Sequence, residues 1–159
     1  MSTTKKAKLS ASLEDYLETI FNLAAQSEGA RSKDIAEALG VARSSVTGAL
    51  RLLRERGLAN YEPYGCISLT ESGRAIAAEV ARKHDILTSF FTDVLGVDSD
   101  NAQRGACKAE HALGPEIIGR LLSFVQYVTE SQRNGRGVAE EFRRFYESES
   151  RPANRTVSE

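Results

Sequence analysis

The sequence predicts a mainly α-helical protein: an N-terminal winged helix-turn-helix with a small β-hairpin wing, followed by a helical domain. Three observations carry that prediction. Apolar residues recur at helical spacing along most of the chain. Two short helical segments meet at a tight turn containing Gly40. A strand-like stretch with a turn at Pro63–Gly65 follows the second of them at once.

Each element has its own signal. "SLEDYLETIFNLAAQ" (12–26) reads as a helix capped by Ser12, with Leu13, Leu17, Ile20 and Ala24 as its buried stripe. "EGAR" breaks it. "SKDIAEALG" (32–40) is a short helix with Ser32 as N-cap, Ile35, Ala36 and Leu39 inward, and Gly40 as its stop. A third helix is capped by Ser44, buries Val46, Leu50 and Leu53, and ends at Gly57. In "LANYEPYGCISLT" (58–70), Tyr61, Ile67 and Leu69 have strand character. A long helix then runs to Gly96 with Ile76, Val80, Leu87, Phe91 and Val94 on one face. After capping candidates Asp98, Ser99 and Asp100, a helix is expected from about Asn101 to Leu113. Pro115 opens the next, which carries Ile117, Ile118, Leu121, Leu122 and Val125. "TESQRNGRG" reads as a linker, "VAEEFRRFY" as a short last helix, and the tail from Ser148 as disordered. The expected boundaries are 1–72 and 73–147, with 148–159 as the tail.

Bulk composition narrows the class. At 159 residues, 41% hydrophobic and 27% charged, the chain is a soluble protein able to bury a core. Two cysteines, Cys66 and Cys107, are too few for a disulfide framework and fit a reducing cytoplasm. No apolar run approaches a membrane span, and "MSTTKKAKLSAS" lacks the hydrophobic segment of a signal peptide. A net charge of −1 excludes a uniformly basic chain but hides an asymmetry. The first 60 residues hold nine Lys/Arg against seven Asp/Glu, and the other 99 hold 12 against 15. Only the N-terminal end is suited to phosphate.

Four features carry chemistry. The third helix turns Arg43, Ser44, Ser45, Thr47, Gly48 and Arg51 outward, side chains that reach base edges and phosphates in a major groove. Asp15 and Glu18, at i and i+3, project together from the first helix, where a solvated face is the ordinary explanation. His84 sits at the edge of an apolar stripe and, alone, is a packing residue. "CKAEH" (107–111) sets Cys107, Glu110 and His111 on one helical face. That thiolate, carboxylate and imidazole suit a borderline divalent transition metal better than Mg²⁺ or Ca²⁺. A catalytic Cys–His pair is less convincing, because no Gly-rich oxyanion turn surrounds it. Three ligands from one helix leave coordination positions open, with Asp15, Glu18 and His84 as the remaining candidates.

The stretches "SLEDYLETI", "SKDIAEALGV", "SSVT", "LTESGR" and C-x-x-E-H occur in the order that resembles the diphtheria-toxin-repressor and manganese-transport-regulator family of metal-dependent repressors. The resemblance spans roughly residues 9 to 128. It implies a winged helix (1–72) that binds palindromic double-stranded operator DNA, and a helical dimerisation and metal-binding domain (73–147). It makes Asp15, Glu18, His84, Cys107, Glu110 and His111 ligands of a divalent metal. Arg43, Ser44, Ser45, Thr47 and Arg51 become the operator-reading face, with Tyr64 a wing contact to the DNA backbone. The iron-responsive branch has Met at the Asp15 position and Cys at the Cys107 position; the manganese branch has Asp and Glu. This chain is a hybrid, so Mn²⁺ or Fe²⁺ is implied, with Co²⁺, Ni²⁺ or Zn²⁺ as surrogates. Thr88 and Gln103 stand where an ancillary iron-branch site would have Glu and His.

The function expected is a cytoplasmic, homodimeric, metal-dependent repressor of metal-uptake genes, not an enzyme, with no membrane or small organic substrate as partner. One rival keeps the winged helix and senses redox state or a small molecule through Cys107 or Cys66. Another, a small metallohydrolase with Glu110 as general base, leaves the winged helix without a purpose.

Overall fold

The computed structural model describes residues 9–26, 29–62 and 65–150. The chain divides into two compact units, one up to Arg82 and one from Lys83 onward. The first contains α1 (Ala11–Gln26), α2 (Ser32–Leu39), α3 (Arg43–Glu55), β1 (Ala59–Asn60), β2 (Ser68–Leu69) and the start of α4 (Glu71–Ser89). The second contains the rest of α4, a π-helical turn (Phe90–Val94), α5 (Ser99–Ala109), α6 (Pro115–Arg133) and α7 (Val138–Ser150). No helix among the described residues is long and apolar enough to cross a membrane.

The first unit is built around the stripes of its three helices. Leu17 and Ile20 of α1, Ile35 of α2, and Val46, Leu50 and Leu53 of α3 are wholly buried with Ile67 beside β2. Each such aliphatic side chain contributes about 1.5–3 kcal/mol relative to exposure. Tyr16 joins Leu13 in this core, whereas Ala24, expected there, is exposed. A purely aliphatic stripe overlooks tyrosine, whose ring buries while its hydroxyl stays polar.

Helix starts differ from the expected caps by one or two residues. Ser10, not Ser12, caps α1 and accepts from the Leu13 amide at 3.3 Å. Ser32 and Ser44 lie inside their helices; the N-cap positions are Arg31 and Ala42, neither with a capping side-chain bond. The stops are as expected. Gly40 (φ 64°) and Gly57 (φ 68°) take the left-handed conformation that glycine adopts without a Cβ penalty. The Gly57 and Leu58 amides close α3 onto the Arg54 and Leu53 carbonyls, both at 2.9 Å.

The wing is a short antiparallel ladder, Ala59 opposite Leu69 and Asn60 opposite Ser68. A third segment, which no local sequence pattern predicts, joins it: Ala30 and Ile67 exchange hydrogen bonds of 3.3 and 2.8 Å. Tyr61 lies outside the strands. The turn closes from the Gly65 amide to the Glu62 carbonyl at 3.0 Å, while Pro63 lies outside the described residues. In "LTESGR", Thr70 caps α4 by accepting from the Gly73 amide at 3.1 Å and donates to the Gly57 carbonyl at 2.8 Å. A Cβ at Gly73 would collide with the Leu58 carbonyl, so this close approach requires glycine.

The second unit departs further from expectation. The long helix ends before Gly96 (φ 71°), as expected, but its α-helical pattern stops at Ser89. It widens into the π-turn, closed by the Leu95 amide on the Phe90 carbonyl at 3.1 Å. Two consecutive rings are accommodated there, Phe90 against Phe124 (centroids 6.2 Å apart) and Phe91 against Gly105. Asp98 caps α5 through the Asn101 amide at 3.0 Å. That helix ends at Ala109 rather than Leu113, because the chain must leave the helical path before Gly114–Pro115 starts α6. Ile118 is buried with Ile86, Leu87 and Ala106, and Leu121 and Leu122 pack on that cluster. Val125 packs with Val94, Val128 and Ala139. These four α6 residues therefore belong to the unit's own core, and of the five apolar residues expected on this helix only Ile117 is exposed. The segment "TESQR" continues α6, and α7 runs past Ser148 to Ser150. Positions 151–159 of the expected tail lie outside the described residues.

Candidate metal centre and recognition face

The early end of α5 reshapes the "CKAEH" cluster. Cys107 stays in the last helical turn, Glu110 is the C-cap residue with right-handed helical backbone, and His111 follows in the turn. The Glu110 amide still bonds the Ala106 carbonyl at 2.9 Å, which turns its side chain into the unit's interior. That carboxylate is wholly buried. Its Oε2 lies 2.8 Å from His84 Nδ1 of α4, and its Oε1 lies 3.3 Å from His111 Nε2.

A buried carboxylate is costly unless positive charge or hydrogen-bond donors match it. Here the His84 imidazole is within hydrogen-bond distance of one oxygen, and the other faces the His111 ring nitrogen without a hydrogen bond to it. Cys107 completes the cluster: His84, Cys107 and Glu110 each bring a donor atom within 4.8 Å of the other two. Nitrogen, sulfur and oxygen donors this close fit a borderline divalent transition metal, and the sulfur disfavours Mg²⁺ and Ca²⁺. Cys107 is exposed, so the cluster has one open side within its unit. Asp15 and Glu18 are half-buried neighbours on α1 in the first unit.

The recognition face lies wholly in the first unit. Arg43, Ser44, Ser45, Gly48 and Arg51 of α3 are exposed, and Thr47 is half-buried with its hydroxyl donating to the Arg43 carbonyl at 3.1 Å. Arg54 points elsewhere, donating to the Tyr61 carbonyl at 3.4 Å and tying α3 to the wing. Tyr64 lies outside the described residues. Arg43, Thr47 and Arg51 line one groove together with Arg31 and Lys33 at the start of α2, and with Tyr61. Arg31 and Lys33 carry little signal in the sequence because they flank an apparent loop. Their spacing from the "DIAEAL" stripe was the available signal.

Residues 8–67 match the description "Iron dependent repressor, N-terminal DNA binding domain", and residues 70–137 match "Iron dependent repressor, metal binding and dimerisation domain". The chain belongs to the iron-dependent repressor family. Members of the iron-dependent repressor family are metal-dependent transcriptional regulators, not enzymes, and this chain carries both of its domains. His84, Cys107, Glu110 and His111 fall in the second and the α3 face in the first.

Relatives agree with that assignment. An uncharacterised HTH-type transcriptional regulator of Methanocaldococcus jannaschii is 38% identical over 119 residues, 74% of this chain and 95% of that protein. The HTH-type transcriptional regulator MntR of Geobacillus kaustophilus is 38% identical over 122 residues, 77% of this chain and 86% of its own length. Among solved structures, a manganese-dependent transcriptional repressor in complex with manganese superposes with a TM-score of 0.64 at 29% identity, over 72% of this chain and 53% of that one. IdeR of T. acidophilum gives 0.63 at 28% identity, over 77% and 54%. The chain thus spans about half the length of these two solved relatives.

Proposed function

We propose that this chain is a cytoplasmic homodimer that binds a palindromic operator when loaded with Fe²⁺ or Mn²⁺ and represses metal-uptake genes. The observation that carries the reading is the buried Glu110 carboxylate held between His84 and His111, with Cys107 beside it. Similarity to a repressor named for manganese and to a family named for iron supports the choice of ions.

His84, Cys107, Glu110 and His111 would hold the ion, and the sequence motif adds Asp15 and Glu18 from the first helix. When bound, the metal supplies positive charge that offsets these carboxylates and the thiolate. Glu110 orients the His84 imidazole through Nδ1, which leaves Nε2 of that ring to donate. Ligands drawn from two units share one ion only in arrangements that bring both within reach. The spacing of the two α3 helices in a dimer then follows from the selected arrangement. Operator half-sites lie about 34 to 36 Å apart per helical turn, so that spacing decides whether both helices fit. Arg43, Ser44, Ser45, Thr47 and Arg51 read the major groove and Tyr64 contacts the backbone, while Arg31 and Lys33 hold phosphates.

The test is operator binding with and without metal, across Mn²⁺, Fe²⁺, Co²⁺ and Zn²⁺. Glu110→Gln should abolish the metal-dependent gel shift while circular dichroism stays that of a folded helical protein. Unchanged metal-dependent binding would sink the reading. A chelator-insensitive response lost in Cys107→Ser would favour the redox rival, for which the exposed Cys107 thiol is the motivating observation.

A further inference from the structure

The recognition helix carries a glycine that its own fold does not require. Gly48 lies in the interior of α3, is exposed, and lacks the positive φ that favours glycine. Among the described residues, no atom stands within 4 Å of a Cβ placed there. Alanine would fit and is the better helix former, so glycine weakens this helix without a return from packing. Gly73 is the contrast, since the Leu58 carbonyl leaves it no room for a side chain. The reason for Gly48 therefore lies in what the outer face of α3 meets.

Val46, Ala49, Leu50 and Leu53 are buried, so at helical spacing the opposite face centres on Ser44, Gly48 and Arg51. The missing side chain leaves a gap in the middle of that face. One turn further on stands Leu52, 47% exposed. Among the described residues of the first unit, it and Val41 (38%) are the only exposed large apolar side chains. Side chains on a helix lean toward its N-terminus, so Leu52 covers the turn that holds Gly48. It walls the gap without filling it, because none of its atoms comes within 4 Å of the Gly48 Cβ position.

We propose that the gap at Gly48, walled by Leu52, seats the 5-methyl group of a thymine and so specifies one base of the operator. The inference rests on the operator-binding reading above and names a base that the site selects. Thymine's methyl is the apolar group that base pairs present in the major groove, and a leucine wall rewards its removal from water. A phosphate would gain nothing from leucine. The cations that suit phosphate, Arg31 and Lys33 with Arg43 and Arg51, line a groove to which neither Gly48 nor Leu52 contributes.

The probe is a duplex selected from a random-sequence pool by the full-length protein with Mn²⁺. Each thymine is then replaced in turn by deoxyuridine, which lacks only the methyl group. At one position in each half-site the replacement should weaken wild-type binding about fourfold, the worth of burying one methyl-sized group. Leu52→Ala should lose that discrimination. Gly48→Ala should bind the thymine duplex more weakly and recover with deoxyuridine at the same position, because the added Cβ takes the place of the methyl. Its melting temperature should be no lower than that of wild type, which separates this loss from unfolding. Wild-type binding that is indifferent to deoxyuridine at every position overturns the inference. So does a thymine preference that persists unchanged in either variant. Selection of a sequence without the thymine effect overturns the inference alone, whereas a metal-loaded protein that selects no sequence overturns the functional reading and the inference with it.

Discussion

Asp98 accepts hydrogen bonds from the Asn101 amide at 3.0 Å and from the Asn101 side chain. The backbone bond, then the side-chain bond, hold its carboxyl below the usual aspartate range. A depressed folded-state pKa adds stability above the unfolded value, near pH 4, and that stability disappears as pH falls through the folded value. Asp98→Ala should therefore lower the melting temperature at neutral pH, and the gap to wild type should close in acid. A gap that stays constant down to acid would show that the cap acts without its charge. Cys107 makes a different prediction. As the soft donor of the cluster, it should give the Co²⁺-loaded protein a thiolate-to-metal band in the near ultraviolet. Cys107→Ser should lose that band and weaken Co²⁺ more than Mn²⁺, by about tenfold. Survival of the band would move the thiolate role to Cys66.

Among the elements, the helix-turn-helix was legible in detail and the second unit was not. Gly40 and Gly57 mark helix ends because left-handed backbone is a local demand, met by the glycine itself. The π-turn at Phe90–Val94 and the stop at Ala109 answer to packing and to Pro115, neither of which a periodic stripe reports. The Ala30–Ile67 bridge pairs segments 37 positions apart, and no local pattern encodes it. The groove between α2 and α3 carries its own prediction. If Arg31 and Lys33 meet phosphate, Arg31→Ala and Lys33→Ala should each weaken specific and non-specific DNA alike. Each should also reduce the slope of log affinity against log salt by about one. Loss confined to the operator sequence would instead make them base readers.

For the whole molecule, linkage sets a condition on any metal-gated repressor. If metal tightens operator binding by some factor, operator must tighten metal binding by the same factor, typically about 5- to 150-fold. Fluorescence titration of the metal with and without a half-site pair checks this, and equal metal affinities would remove the coupling. Composition, charge asymmetry and the order of short motifs sufficed to establish a mainly helical, two-part regulator, because helix periodicity, glycine stops and cationic side chains are properties of short segments. Which side chains surround the Glu110 carboxylate, and which α6 residues remain uncovered, depended on tertiary structure. His84 lies 26 positions from Glu110, yet its Nδ1 sits 2.8 Å from that carboxylate. Only the packing of α4 against the end of α5 brings them together, and burying that carboxylate is what turns two separate motifs into one site.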